Sequence, residues 1–248
     1  LQLNQIYMAR KKATNPEDLN LNDNALKAKV KIKGLKLTEK QKKFLELSLR
    51  DDAKIVFVLG PAGSTKTYMA VMSALRHLQR DDALDLFYVR TAIESAEKGL
   101  GALPGTLEEK FNPYMAPLED KLAKLLPSNT TLKSELLKSN RIQAMPINFL
   151  RGASWLNKIV VADESQNFTF KELVTMVTRL GENSKLFICG DLMQSDINGR
   201  SGLKPMIDLF DDDESKEKGI YCFRFTENDI MRSEILKFII KKLKSHKS

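Results

Sequence analysis

From about position 37 onward, short apolar runs alternate with longer segments whose apolar residues recur at helical spacing. The run 54–59 (Lys54-Ile55-Val56-Phe57-Val58-Leu59) is closed by Gly60, the pattern of a strand buried on both faces. Further strands are predicted over 84–89, 159–162, 186–189 and 220–225, with 141–145 as an edge strand. Two capping boxes mark helix starts. Thr38-Glu39-Lys40-Gln41 opens a helix to about 49, and Thr169-Phe170-Lys171-Glu172 opens another to 180. Helical patterns also cover 66 to about 79, the stretch after Gly105 through 126, and 231–243. The segments after positions 90 and 190 read as loops, and Asp211-Asp212-Asp213-Glu214 reads as a solvated part of the second. Strands alternating with helices predict an α/β fold, a mainly parallel sheet covered on both faces in three layers. No internal repeat is visible.

Composition adjusts this picture only at its edges. Residues 8–36 are polar, rich in Lys and Asn, and aperiodic, which predicts a flexible basic arm. Leu1–Tyr7 precede a start-like Met8-Ala9-Arg10-Lys11-Lys12 and are expected to be an artefact, so the domain is expected to run from 37 to 248. Lys and Arg number 40 against 32 Asp and Glu, a net +8 that suits a polyanionic partner but also many proteins that bind no nucleic acid. Cys189 and Cys222 both lie in strand-like runs and are expected to be buried thiols rather than part of a disulfide framework. His77 and His246 have no metal-type neighbours. No apolar stretch approaches the roughly 18 residues of a membrane span, and no signal pattern opens the chain, so a cytoplasmic setting is expected.

The chemistry concentrates where a strand meets a helix. Gly60-Pro61-Ala62-Gly63-Ser64-Thr65-Lys66-Thr67 lies between a predicted strand and a predicted helix, the context a Walker A loop requires. Its backbone N–H groups are expected to face the β-phosphate, Lys66 to neutralise the β- and γ-oxygens, and the Thr67 hydroxyl to ligate Mg²⁺. Thr65 stands where that pattern has Gly, and a β-branched residue is strained there if the backbone needs positive φ. About a hundred residues on, the strand 159–162 ends in Asp163-Glu164. Asp163 is expected to hold Mg²⁺ through a water and Glu164 to polarise the attacking water.

Gln194, in the loop after the strand 186–189, is placed to hydrogen-bond a γ-phosphate and a water. No Asn-Lys-x-Asp guanine motif is present, so ATP is the expected nucleotide. Arg90, Lys98 and Arg151 are candidates for a nucleic-acid backbone or a neighbouring subunit, with solvated charge as the alternative for each. Arg232, at the start of the last helix, is a candidate arginine finger. Such a finger comes from within the domain or from a neighbouring subunit, and the latter implies a ring.

Several stretches together resemble the PhoH-like family of P-loop ATPases. They are Gly60-Pro61-Ala62-Gly63 through Lys66-Thr67-Tyr68, Arg90 with Glu97-Lys98-Gly99-Leu100-Gly101, Leu103-Pro104-Gly105, Pro113-Tyr114, and Phe149-Leu150-Arg151-Gly152. Asp163-Glu164-Ser165-Gln166-Asn167, Gly190-Asp191 with Gln194, and Arg232-Ser233-Glu234 complete the set. The resemblance implies a RecA-like core similar to the first domain of superfamily-one helicases, with ATP and Mg²⁺ bound and Tyr68 beside the nucleotide. It also implies a homo-oligomer, a hexameric ring being one form, acting on RNA or single-stranded nucleic acid. By the same resemblance Gln41 is similar to the adenine-reading glutamine of a Q-motif, a role that competes with its place in the capping box. The family's link to phosphate starvation and to a PIN nuclease domain comes with it, although nothing here looks like a PIN domain. The compact chain looks more like phage-encoded members. Two departures stand out: Thr65 where the family has Gly, and Ser165 where it has Ala. Thr65 leaves two readings open, an ATPase and a nucleotide-gated binding module with little turnover. A small-molecule kinase is disfavoured, because no acceptor pocket or lid signature is visible.

Overall fold

The computed structural model describes residues 30–91, 107–128, 131–147, 155–194, 197 and 199–230, together with positions 235, 238, 239 and 242. Among them, helices α1 (Glu39–Ser48), α2 (Lys66–Arg80), α3 (Leu107–Leu125), α4 (Leu132–Lys138), α5 (Phe170–Val177), α6 (Leu203–Phe210) and α7 (Asp213–Glu217) surround one sheet. Its strands are β1 (Ile55–Leu59), β2 (Asp85–Arg90), β3 (Ile142–Pro146), β4 (Lys158–Ala162), β5 (Lys185–Gly190) and β6 (Ile220–Arg224). Every pairing is parallel, and the order across the sheet is β3-β2-β4-β5-β1-β6. The expected edge position of β3 is therefore observed.

Alternation along the strands divides the core in two. Val56, Val58, Tyr88, Ile159, Val161, Phe187 and Cys189 point to the face covered by α1, α2, α3 and α4. Phe57, Leu59, Val160, Ala162, Leu186 and Ile188 point to the opposite face, where α5 and α6 pack through Leu173, Met176, Leu203 and Met206. The three-layer arrangement follows from this split. It is also why β1 and β5 read as unbroken apolar runs: both of their faces are buried.

Five features differ from the sequence expectation. Among the described residues, packing begins at Val30, inside the expected flexible arm: Val30 is buried, and Lys33 N donates to the Leu125 carbonyl at the end of α3 at 2.8 Å. The helix opened by Thr169 stops at Val177 instead of 180, because Leu180 forms a parallel bridge with Trp155 and Gly181 N donates to the Trp155 carbonyl. The Gly- and Ser-rich stretch before β6 contains α6, whose Leu203, Met206 and Ile207 are buried at helical spacing. Asp211-Asp212-Asp213-Glu214 is not a plain loop, since Asp212 caps α7 by accepting from Ser215 N and Asp211 pairs with Arg224. Finally, α4 has no counterpart in the sequence pattern; its buried Leu132 and Leu136 are one turn apart.

Candidate nucleotide site

The C-terminal tips of β1, β5 and β4 stand side by side, and the candidate residues leave from these tips. Beyond β1 the chain turns tightly. Ser64 N and Oγ both donate to the Pro61 carbonyl, at 3.2 and 2.8 Å, and Lys66 Nζ donates to the same oxygen at 3.1 Å. Gly63 has φ +80°, a conformation open to glycine at no steric penalty. Thr65 follows in the left-handed region with φ 65° and ψ 10°, so the strain anticipated for a β-branched residue is present. Thr65 is also the N-cap of α2, yet its side chain makes no capping bond. By contrast, α1, α5 and α7 are capped by Thr38, Thr169 and Asp212. The first-turn N–H groups of α2 are therefore left to face an anion, as the Walker A reading requires. Tyr68, one turn into the helix, is half-buried against the core.

Alternation also determines what lies opposite. Ile159 and Val161 face α2, so Asp163, next in that row, faces α2 as well. Thr67 Oγ1 donates to Asp163 Oδ1 at 2.5 Å, joining the two expected Mg²⁺ partners directly. Asp163 is nearly buried, and positive and neutral donors surround it: the Tyr88 hydroxyl donates to Oδ2, while Arg90 Nε and Lys121 Nζ each lie 3.8 Å away. Burial, reinforced by the neighbouring carboxylate, keeps the Tyr88 hydroxyl protonated well above its ordinary pKa, so it remains a donor. The two cations balance a carboxylate that would otherwise be costly to hold out of water. The donor set suits Mg²⁺, which takes one or two protein oxygens alongside substrate phosphates.

Glu164 is the second left-handed residue at the site, with φ 53° and ψ 44°. This turn carries the carboxylate away from the buried row and leaves it half-exposed. Its Oε2 accepts from Gln166 Nε2 at 2.5 Å, and Gln166 Oε1 in turn accepts from Asp191 N at 3.1 Å. Gln166 is thus a buried bridge between the acid on β4 and the loop that leaves β5. Gln194 is exposed in that loop, where its backbone N donates to the Asp191 carbonyl. Gln41 Nε2 donates to Thr65 Oγ1 at 3.0 Å while Gln41 Oε1 completes the α1 capping box, so one side chain serves both the box and the phosphate loop.

Arg90, expected to reach a nucleic acid or another subunit, instead has its guanidinium at Asp163, with its side chain 17% exposed. Lys98, Arg151 and Arg232 lie outside the described residues. Tyr88 and Lys121 escaped the sequence reading as site residues, and Gln166 entered it only as part of the resemblance motif, without a role. In sequence Tyr88 is one more apolar strand position and Lys121 one more helix lysine. Gln166, two residues beyond the acids, was the only one with a local signal. Of the two thiols expected to be buried, Cys189 is fully buried with its pKa raised by burial, whereas Cys222, on edge strand β6, is only half-buried, its pKa pushed up to about 12 chiefly by burial.

A phosphate loop between strand and helix, facing an acidic strand tip across one intervening strand of an all-parallel sheet, defines a P-loop nucleotide-binding fold of the RecA-like kind. Residues 31–244 match the family model described as PhoH-like protein, and the chain belongs to this family. Similar curated proteins include the PhoH-like protein of Mycobacterium bovis, 35% identical over 205 residues covering 82% of this chain and 56% of that protein. The Bacillus subtilis PhoH-like protein is 33% identical over 229 residues, covering 90% of this chain and 66% of the relative. Protein PhoH of Escherichia coli K12 is 30% identical over 187 residues, covering 75% and 51%. The chain thus spans between about half and two thirds of the length of these relatives. Among solved structures, the large terminase of a thermophilic bacteriophage in complex with ADP aligns over 83% of this chain and 50% of its own, at TM-score 0.47 and 14% identity. Bacteroides sp Pif1 in complex with ADP-AlF4 aligns over 83% and 45%, at TM-score 0.37 and 21% identity. Among the described residues, no helix is long and apolar enough to cross a membrane.

Proposed function

We propose that this chain is a Mg²⁺-dependent ATPase whose turnover is coupled to RNA or single-stranded nucleic acid. The observation that carries the reading is the bond from Thr67 to Asp163, with Glu164 turned out beside it. It supports one role for each residue. The loop 60–65 and the open N-terminus of α2 receive the phosphates, and Lys66 leaves the Pro61 carbonyl to neutralise their terminal oxygens. Thr67 and Asp163 hold the metal. When bound there, Mg²⁺ would supply charge neutralisation at the nucleotide phosphates. Glu164 accepts a proton from the attacking water, and Gln194 contacts the γ-phosphate from the loop after β5. The net charge of +8 supports a nucleic-acid partner. Arg232 would act as a finger, from this chain or from a neighbouring copy in a ring, with Lys98 and Arg151 near the nucleic acid.

The test is phosphate release by purified protein with and without single-stranded RNA or DNA across a salt series. Release that nucleic acid stimulates, with stimulation fading as salt rises, is expected. Lys66→Ala abolishes binding. No release above blank in any sample would leave the second reading, a nucleotide-gated binding module. Strained Thr65 is the observation that favours that alternative.

A further inference from the structure

We infer that Gln41 is a positioning residue, one that clamps the phosphate loop through Thr65 and acts on how nucleotide phosphates are held rather than on which base is read. The inference rests on the nucleotide-binding reading above. Thr65 adopts a left-handed backbone that residues other than glycine rarely hold. Its hydroxyl is the one part of it that a glycine would lack and that can be tethered, and that hydroxyl accepts from Gln41 Nε2. Lys66 and Thr67 follow directly, so whatever fixes Thr65 also fixes the start of α2, from which both ligating side chains spring.

Gln41 is fixed in turn. Its Oε1 accepts from the Thr38 backbone N–H, which determines the orientation of the amide and turns the nitrogen toward Thr65. At the other end of α1, Lys185 Nζ donates to the Ser48 and Arg50 carbonyls, and the His77 ring bonds the Ser48 carbonyl as well. α1 is therefore anchored at both ends, and Gln41 is 5% exposed. A base reader must offer an amide edge to its ligand. This amide has its oxygen in the capping box, its nitrogen on the loop and little surface left.

A double-mutant cycle on equilibrium binding of fluorescent MgATP and MgGTP tests the clamp. Gln41→Ala is expected to weaken both nucleotides alike, by about fivefold, the worth of one hydrogen bond. Because Gln41→Ala also removes the capping box, Thr65→Val provides the variant that leaves α1 intact. It loses the hydroxyl, keeps the strain, and gives the same loss for both nucleotides, whereas Thr65→Ser restores wild-type binding. Glycine at 65 needs no clamp, so in a Thr65→Gly background Gln41→Ala has no further effect. A loss for MgATP but not MgGTP, or an undiminished loss in the Thr65→Gly background, overturns the inference. Hydrogen exchange of the amides at 63–67 without nucleotide gives an independent readout, with faster exchange expected in Gln41→Ala and Thr65→Val. If no variant binds nucleotide and Lys66→Ala changes nothing, the nucleotide-binding reading fails. The clamp then stands or falls on that exchange.

Discussion

The two strained turns at the site are built alike and differ in purpose. Thr65 follows β1 and Glu164 follows β4, each a residue other than glycine in the left-handed region, with φ 65° and 53°. Each is also tied by a glutamine amide, Gln41 to the Thr65 hydroxyl and Gln166 to the Glu164 carboxylate. Glycine would take either backbone without strain. At 164 a glycine would remove the proposed base. At 65 it would restore the residue that the Walker A pattern itself carries. Strain at 164 accompanies the proposed base, whereas strain at 65 accompanies only a tether, so an unusual backbone alone does not identify a catalytic position.

The comparison can be broken most decisively at 164. Glu164→Gln is expected to lower ATP turnover by at least about 100-fold in a phosphate-release assay while binding persists. Unchanged turnover would take Glu164 out of the role of base and make the two turns equivalent. Next comes the amide beside it. Gln166→Leu is expected to reduce turnover about tenfold, with nucleotide affinity kept, because it removes one bond to the carboxylate and one from the β5 loop. A loss in affinity instead would make Gln166 a support of the fold.

Stability separates tether from strain. In thermal scans Thr65→Val, which loses the bond and keeps the strain, falls by about 1 kcal/mol, or a few degrees. Thr65→Gly loses both, and the gains and losses of about 1 kcal/mol each nearly cancel. Glu164→Ala and Glu164→Gly should repeat that spread, but with turnover gone in both. A separate, pH-dependent effect lies at the far end of α1. Burial, together with Lys185 and Arg80 and against the pull of the Ser48 carbonyl, holds the His77 pKa down at about 4 from 6.5. Stability from the neutral ring is therefore complete above pH 6.5 and is lost as pH falls through 4, because the unfolded histidine takes up its proton first. The thermal midpoint should fall across that range, and less steeply in His77→Gln.

Much of the site was legible because its signals are local. A strand, a glycine-bearing loop, Lys66-Thr67 and a helix are consecutive, and the two acids close an apolar run. What could not be read was whatever depends on two distant elements meeting. Tyr88 and Lys121 reach Asp163 from β2 and α3, and the separations in sequence, 75 and 42 residues, carry no pattern. Gln41 displayed its capping-box signature but not its bond to Thr65, 24 residues away. The fold followed the same rule. The central strands β1 and β5, buried on both faces, announced themselves, while short α4 and α6 show too few turns for their period to stand out.

The placing of β5 has a consequence for how the site keeps its dimensions. Strands in a sheet stand about 4.8 Å apart, so the loop after β1 and the acids after β4 are held roughly 10 Å from each other by the backbone itself. The spacer ends in Gly190, where an added Cβ would approach Leu203 Cδ2 to 2.4 Å and crowd Gln166. A sheet with this order works as a fixed gauge for the backbones of the two loops, and the missing side chain at Gly190 makes room for Leu203 and Gln166. Side-chain substitutions can alter what lines that gauge, but its width belongs to the order of the strands.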